Sequence, residues 1–161
     1  MFGVDEIARI HGQENSALFS HELFHVYHEQ IIKQESDAIY WSLWEEGLAT
    51  YVSRSLNPEL PENKICCLPD VNAVRPVLPK IAGELLMKLD STSESDSARY
   101  FLGGRKNLDL PERSGYYVGY LIAQELGESR SLAELARLQP AAVRELEEDS
   151  LRRMQSTSQK P

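Results

Sequence analysis

The sequence lacks the apolar segments that would place it in a membrane or direct it to export. The longest apolar runs among its 161 residues are far shorter than the roughly 20 residues that a membrane-spanning helix needs. Residues 1–6 contain neither the basic nor the apolar part of a signal peptide. We therefore expect no membrane insertion. A cytoplasmic location is the default expectation, and an exported one applies if the chain is a fragment of a longer precursor.

Positive charge is also scarce. The chain has 17 Lys and Arg against 25 Asp and Glu, which gives a net charge of −8. This balance argues against nucleic acid and anionic membrane surfaces as partners. The only basic glycine turn, Gly103-Gly104-Arg105-Lys106, lacks the spacing of a phosphate-binding loop. No feature of the sequence indicates an oligomeric state.

Cysteine is limited to one adjacent pair, Cys66 and Cys67. Neighbouring cysteines rarely form a disulfide, and they lack the C-x-x-C spacing of a zinc site. The pair therefore predicts two free thiols rather than a disulfide framework. The apolar content of 42% is that of an ordinary globular protein, so a core can form without disulfides.

The most informative pattern that the sequence does contain is H-E-x-x-H, formed by His21, Glu22 and His25. Side chains four positions apart lie on one face of a helix, so the two imidazoles can bind one metal ion. Glu22 lies beside them, where a carboxylate can take a proton from an attacking water. Two surface histidines and a solvated glutamate would give the same letters. The choice between these interpretations depends on whether a third ligand is present.

A catalytic zinc ion usually has three protein ligands and one open position. The metzincin extension, H-E-x-x-H-x-x-G-x-x-H, is absent, because His28 and Ile31 occupy the positions of its Gly and third His. Residues 44–51, WEEGLATY, instead resemble the "NEGFA-x-Y" and "EGLA-x-Y" segments of gluzincin metallopeptidases, in which the Glu before Gly binds zinc. The resemblance implies Glu46 as the third ligand. Glu45 is the alternative, about 100° away around the helix.

A second segment, residues 116–123 with the sequence YYVGYLIA, resembles the "Y-E-K-G" helix of aminopeptidase N-like gluzincins. It is also similar to a G-Y-Y-x-G-Y stretch of small predicted bacterial zinc proteases. The resemblance implies that Tyr116 stabilises the oxyanion, with Tyr117 and His28 as alternatives. An apolar, Tyr-rich helix is equally typical of a protein core.

The sequence departs from the gluzincin pattern in two ways. Thr50 stands where many members carry a carboxylate that orients a ligand. A hydroxyl can still orient an imidazole, although less strongly. The G-x-M-E-N element that holds the substrate amine in aminopeptidases is missing, so exopeptidase activity is not expected.

Together these segments predict a zinc metallopeptidase that cleaves peptides or proteins internally. Zn²⁺ would be held by His21, His25 and Glu46, with Glu22 as general base. One alternative is a zinc hydrolase of a non-peptide amide, which would use the same ligands. Another is a zincin-like binding domain without activity, which would have no need of Glu22.

The predicted fold is mainly α, a zincin-like helical domain over residues 1–154 with at most one N-terminal strand, in residues 2–10. Hydrophobic spacing and caps predict helices at residues 16–33, 36–56, 81–89, 112–126 and 140–154. Residues 58–79 and 91–97 are expected to be loops, and residues 155–161 a disordered tail. Gluzincins normally place a sheet before the metal helix. We therefore expect either a minimal member or a chain without an upstream β subdomain, with weak activity as a monomer.

Overall fold

The computed structural model describes residues 14–33, 36–103 and 109–156, and this part of the chain is helical without any strand. The prediction of a mainly α protein is confirmed for these residues. The predicted strand at residues 2–10 lies outside them, as do residues 157–161 of the predicted tail. The helices are α1 (Glu14–Ile31), α2 (Ile39–Leu56), α3 (Val71–Val74), α4 (Leu78–Leu86), α5 (Glu94–Phe101), α6 (Ser114–Gly127), α7 (Leu132–Leu135) and α8 (Pro140–Ser156).

Helix α2 lies at the centre of the fold. It packs on α1 on one side and, most extensively, on α6 on another, and it also contacts α8. Trp41, Trp44 and Leu48 are fully enclosed. A helix that buries residues around most of its circumference belongs in the interior. The central position of α2 allows residues of α1 and α6 to meet residues of α2 at one place.

Helices α2 and α6 cross through two glycines. A methyl group built on Gly119 would lie 2.8 Å from Cα of Gly47 and closer still to the carbonyl oxygen of Leu43. The backbones touch at this point, and no other residue type fits without moving one helix. The close approach brings the start of α6 next to the middle of α2.

The other long pairing joins α4 to α8. Ile81 and Leu85 of α4 and Val143 and Leu151 of α8 belong to the same buried apolar cluster as the tryptophans of α2. This pair covers the side of the core that carries no candidate metal ligand.

Two predicted loops contain helices. Residues 91–97 were expected to be a loop because of their serines, yet α5 begins at Glu94. Glu94 and Asp96 lie in its first turn, where negative charge is favourable, and Asp96 accepts a hydrogen bond from Ser91. Residues 58–79 contain α3 and two 3-10 turns.

Helix α4 starts at Leu78 rather than at residue 81, because Pro79 fits the first turn of a helix. The other predicted helices agree with the structure within about three residues. Ser131 and Glu134 form a capping box at the start of α7. Gln155 and Ser156, expected in the tail, end α8.

None of the described helices has the length and apolar character needed to cross a membrane.

Candidate metal centre

Helix α1 presents His21 and His25 on one face, as the four-residue spacing predicts. Their rings meet edge to face with centroids 4.8 Å apart, and the two Nε2 atoms are 3.1 Å apart. His21 is only 2% exposed, whereas His25 is half-buried at the rim. Two imidazole nitrogens that face each other at this distance need a proton or a cation between them.

Glu46 of α2 completes the cluster. Its Oε2 lies 3.1 Å from Nε2 of His21 and 3.5 Å from Nε2 of His25. At zinc–ligand distances of about 2.0–2.2 Å, the ligand atoms of a tetrahedral site stand roughly 3.3–3.6 Å apart. The separations among the three atoms, 3.1, 3.1 and 3.5 Å, are close to that range. Two neutral imidazoles and one carboxylate are also the donor set that zinc accepts, so these residues fit the ion.

The electrostatics of the cluster favour a bound cation. Burial alone would raise the pKa of Glu46, but hydrogen bonding to His21 and His25 outweighs burial and lowers the pKa to about 2. For His25, burial acts to lower the pKa, while the Glu46 carboxylate and the charges of Glu22 and Glu45 raise it overall. The carboxylate is therefore ionised at neutral pH and faces two nitrogen ligands.

Glu45, the alternative third ligand, points in another direction. It lines a groove of about 1030 Å³ that runs between the start of α2 and helix α5, together with Trp41, Ser93 and Phe101. The structure thus brings Glu46, and not Glu45, to hydrogen-bonding distance of the histidines. This groove lies beside the cluster rather than over it.

Glu22 is half-buried on α1. Its charge acts on His25 and on the sulfur atoms of Cys66 and Cys67. Glu22 therefore stands close enough to the cluster and to the cysteine pair for its charge to act on both.

Tyr116 lies in the first turn of α6 with its ring centroid 6.3 Å from that of His21, and it packs edge to face on Phe101 at 5.9 Å. Burial, and then the charge of Glu46, raise the pKa of its phenol far above the ordinary value. The hydroxyl therefore keeps its proton and acts as a hydrogen-bond donor. Arg113 precedes α6 in a left-handed conformation with a φ of 55°.

The two alternatives to Tyr116 lie away from the cluster. The Tyr117 hydroxyl accepts a hydrogen bond from Nε of Arg75. His28 is buried between the rings of Phe24 and Trp41, which stack on it at 5.4 and 5.9 Å. Burial lowers the pKa of His28 to about 4, so it is a neutral core residue. This position in the core does not support His28 as the group that stabilises an oxyanion.

Thr50 does not orient a histidine ring. Its hydroxyl donates to the backbone carbonyl of Glu46 at 2.7 Å. The buried Nδ1 of His21 has no hydrogen-bond partner within the part of the chain that the structure describes. A histidine that binds a metal usually donates its other N–H to a neighbouring acceptor, and the described residues do not supply one here.

A polar clamp that the sequence did not reveal fastens α1 to α2. Asn57 donates to the backbone oxygen of Ser53 and accepts from the hydroxyl of Ser16, while Ser53 donates to the backbone oxygen of Ala17. The side chain of Asn57 therefore helps to hold together the helices that carry the histidines and Glu46.

The structure also brings the cysteine pair to the cluster. Both sulfur atoms lie within 4.8 Å of a ring nitrogen of His21 and of each other, and both residues are half-buried free thiols, as predicted. Cys67 has a φ of 67°, in the left-handed region. Hydrogen bonding from Cys66 lowers the pKa of Cys67, whereas the same contact and burial raise the pKa of Cys66. Adjacent cysteines carry no spacing that would predict this position.

Comparison with known proteins identifies one family. The family described as "Predicted Zn-dependent protease (DUF2268)" matches residues 7–145, which include the histidines, Glu46, the cysteine pair and Tyr116. Neither a curated protein nor a solved structure matches the chain.

Proposed function

The chain belongs to the family of predicted Zn-dependent proteases, and on that premise we propose that it is a zinc metallopeptidase of the gluzincin type. In this proposal Zn²⁺ is held by His21, His25 and Glu46. The observation that carries it is the convergence of three ligand atoms from two helices, 3.1 to 3.5 Å apart, around one point. The spacing, the ionised carboxylate and the family membership all support the same ion.

When bound, zinc supplies a Lewis acid that acidifies water and polarises a carbonyl group. The chain's own residues would handle the protons. Glu22 accepts a proton from the attacking water and returns it to the amine that leaves. Tyr116, which remains protonated, donates a hydrogen bond to the oxygen on which negative charge develops.

The proposed substrate is a peptide or protein cleaved within its chain. Tyr116 and Phe101 stand in contact, and Phe101 also lines the groove between α2 and α5. A substrate chain that passes the cluster on this side would continue into that groove. Its volume of about 1030 Å³ could hold several residues on one side of the cleaved bond, which favours an extended substrate over a small amide.

Removal of the metal tests the proposal directly. We expect the purified chain to bind one zinc ion, to lose cleavage of a broad peptide library after treatment with a chelator, and to recover it when one equivalent of zinc is added back. Elemental analysis and the library assay measure both effects. A folded sample that cannot be loaded with stoichiometric zinc would contradict the proposal.

The choice of Glu46 as ligand has its own test. We expect Glu46→Gln to weaken zinc binding by more than about 100-fold, since even the loss of an outer partner of a ligand typically costs about 10–100-fold. Glu45→Gln, which removes the same charge one position earlier on α2, should leave the affinity close to that of the wild type. Competition titrations with a chromophoric chelator compare the two. The opposite order would make Glu45 the ligand.

A further inference from the structure

The Cys66–Cys67 pair forms a second set of possible metal ligands that shares His21 with the first. A ring nitrogen of His21 and the two sulfur atoms lie within 4.8 Å of one another. The two sets have only His21 in common, so a sulfur atom would have to approach His25 and Glu46 to share their ion. The carboxylates of Glu22 and Glu46 also interact electrostatically with both sulfur atoms.

The distance between the sulfur atoms decides how the pair could bind. Two thiolates on one tetrahedral zinc ion, at zinc–sulfur distances of about 2.3 Å, stand roughly 3.8 Å apart. In this chain the two Sγ atoms are only 2.6 Å apart. In this arrangement at most one of the two sulfur atoms can therefore serve as a ligand.

We propose that one thiolate of the Cys66–Cys67 pair binds the metal held by His21, His25 and Glu46, and that it fills the position which the attacking water needs. Three protein ligands leave a catalytic site open, whereas four close it. The reduced chain would then be a thiolate-capped form of low activity. This inference rests on the proposed function, because it describes the regulation of that same site.

Cobalt substitution tests the coordination without any assay of activity. Metal-free, reduced full-length chain is titrated with Co²⁺ in the absence of oxygen. We expect a near-ultraviolet thiolate-to-cobalt charge-transfer band that saturates at one ion per chain. The chain contains only these two cysteines, so no other residue can produce the band. The Cys66→Ser, Cys67→Ser double variant should bind one Co²⁺ without the band, and the single variants identify the sulfur that binds.

A small anion tests whether the cap closes the open position. We expect azide to shift the visible spectrum of the cobalt-loaded double variant at a concentration at least about tenfold lower than it needs for the wild type, which corresponds to a cap favoured by about 1.4 kcal/mol. The zinc-loaded double variant should cleave peptides about tenfold faster than the reduced wild type. Wild-type chain whose cysteines have been alkylated should behave like the double variant. Far-ultraviolet circular dichroism and the unfolding midpoint show whether each form is folded.

Three results would overturn the inference: no charge-transfer band at saturating Co²⁺, a band that belongs to a second ion, or equal azide affinity with and without the cysteines. Failure of the proposed function looks different. If the band and the azide effect appear but no form cleaves peptides, coordination by the thiolate is supported and the peptidase proposal fails. If peptides are cleaved and no band appears, the peptidase proposal is supported and coordination by the thiolate is contradicted.

Discussion

Replacement of Glu22 by Gln is expected to lower peptide cleavage by about 10²–10⁴-fold while leaving zinc binding and folding unchanged. The amide has nearly the same size as the carboxylate but cannot accept a proton from water. Glu22 is half-buried next to His25 without hydrogen-bonding to the cluster of His21, His25 and Glu46 in any contact that the structure gives. Its loss should therefore remove a proton acceptor and not a ligand. The measurement is kcat on a cleaved peptide, with zinc content determined on the same sample.

Glu29→Gln is the matched control for this variant. Glu29 lies on the same helix, carries the same charge and is exposed. Because the two changes alter the net charge equally, a difference in kcat between the two variants isolates the position of the carboxylate. Full turnover in zinc-loaded Glu22→Gln protein would remove Glu22 from the mechanism, and equal losses in both variants would point to charge alone.

Replacement of Gly119 by Ala is expected to give the largest loss of stability. The new methyl group would meet backbone atoms of Leu43 and Gly47, which cannot rotate away as a side chain can. Overpacking a core typically costs about 1–3 kcal/mol, and a clash between two backbones should reach at least the upper end of that range. Urea unfolding, followed by circular dichroism, measures the change in the free energy of unfolding.

Gly83→Ala provides the contrast, because Gly83 also lies inside a helix. A methyl group there meets only the exposed side chain of Gln155, with Nε2 at 2.7 Å, and that flexible amide can move away. Alanine is the better helix former, so this variant should be equally stable or more stable by up to about 1 kcal/mol. If Gly119→Ala proves as stable as Gly83→Ala, the contact between α2 and α6 does not restrict the residue at position 119.

The same contact links stability to the site. Tyr116 precedes Gly119 by less than one turn of α6, and Glu46 precedes Gly47 on α2. Any separation of the two helices at the glycines would move Tyr116 away from the cluster of His21, His25 and Glu46. A folded fraction of Gly119→Ala should therefore keep its zinc, which α1 and α2 hold, and lose cleavage.

The sequence alone determined the features that depend on helical periodicity. His21 and His25 share a face because four residues make about one turn, and this holds wherever the helix packs. The buried pattern of α2 and α6 follows in the same way from the spacing of apolar residues. The mainly α character is also a local property, and it was predicted correctly for the described residues.

Only the tertiary structure decided how separate segments meet. Whether Glu45 or Glu46 reaches the histidines depends on how α2 is rotated against α1, and the hydrogen bonds of Asn57 with Ser16 and of Ser53 with Ala17 join these two helices. His28, seven residues after His21, lies in the core because Trp41 and Phe24 stack on its ring. The cysteine pair lies near His21 because of the course of the irregular loop that carries it. No repeating pattern of residues predicts the course of such a loop. Most of these contacts join residues of separate segments, so their geometry follows from the packing of the whole core and not from the spacing of residues along the chain.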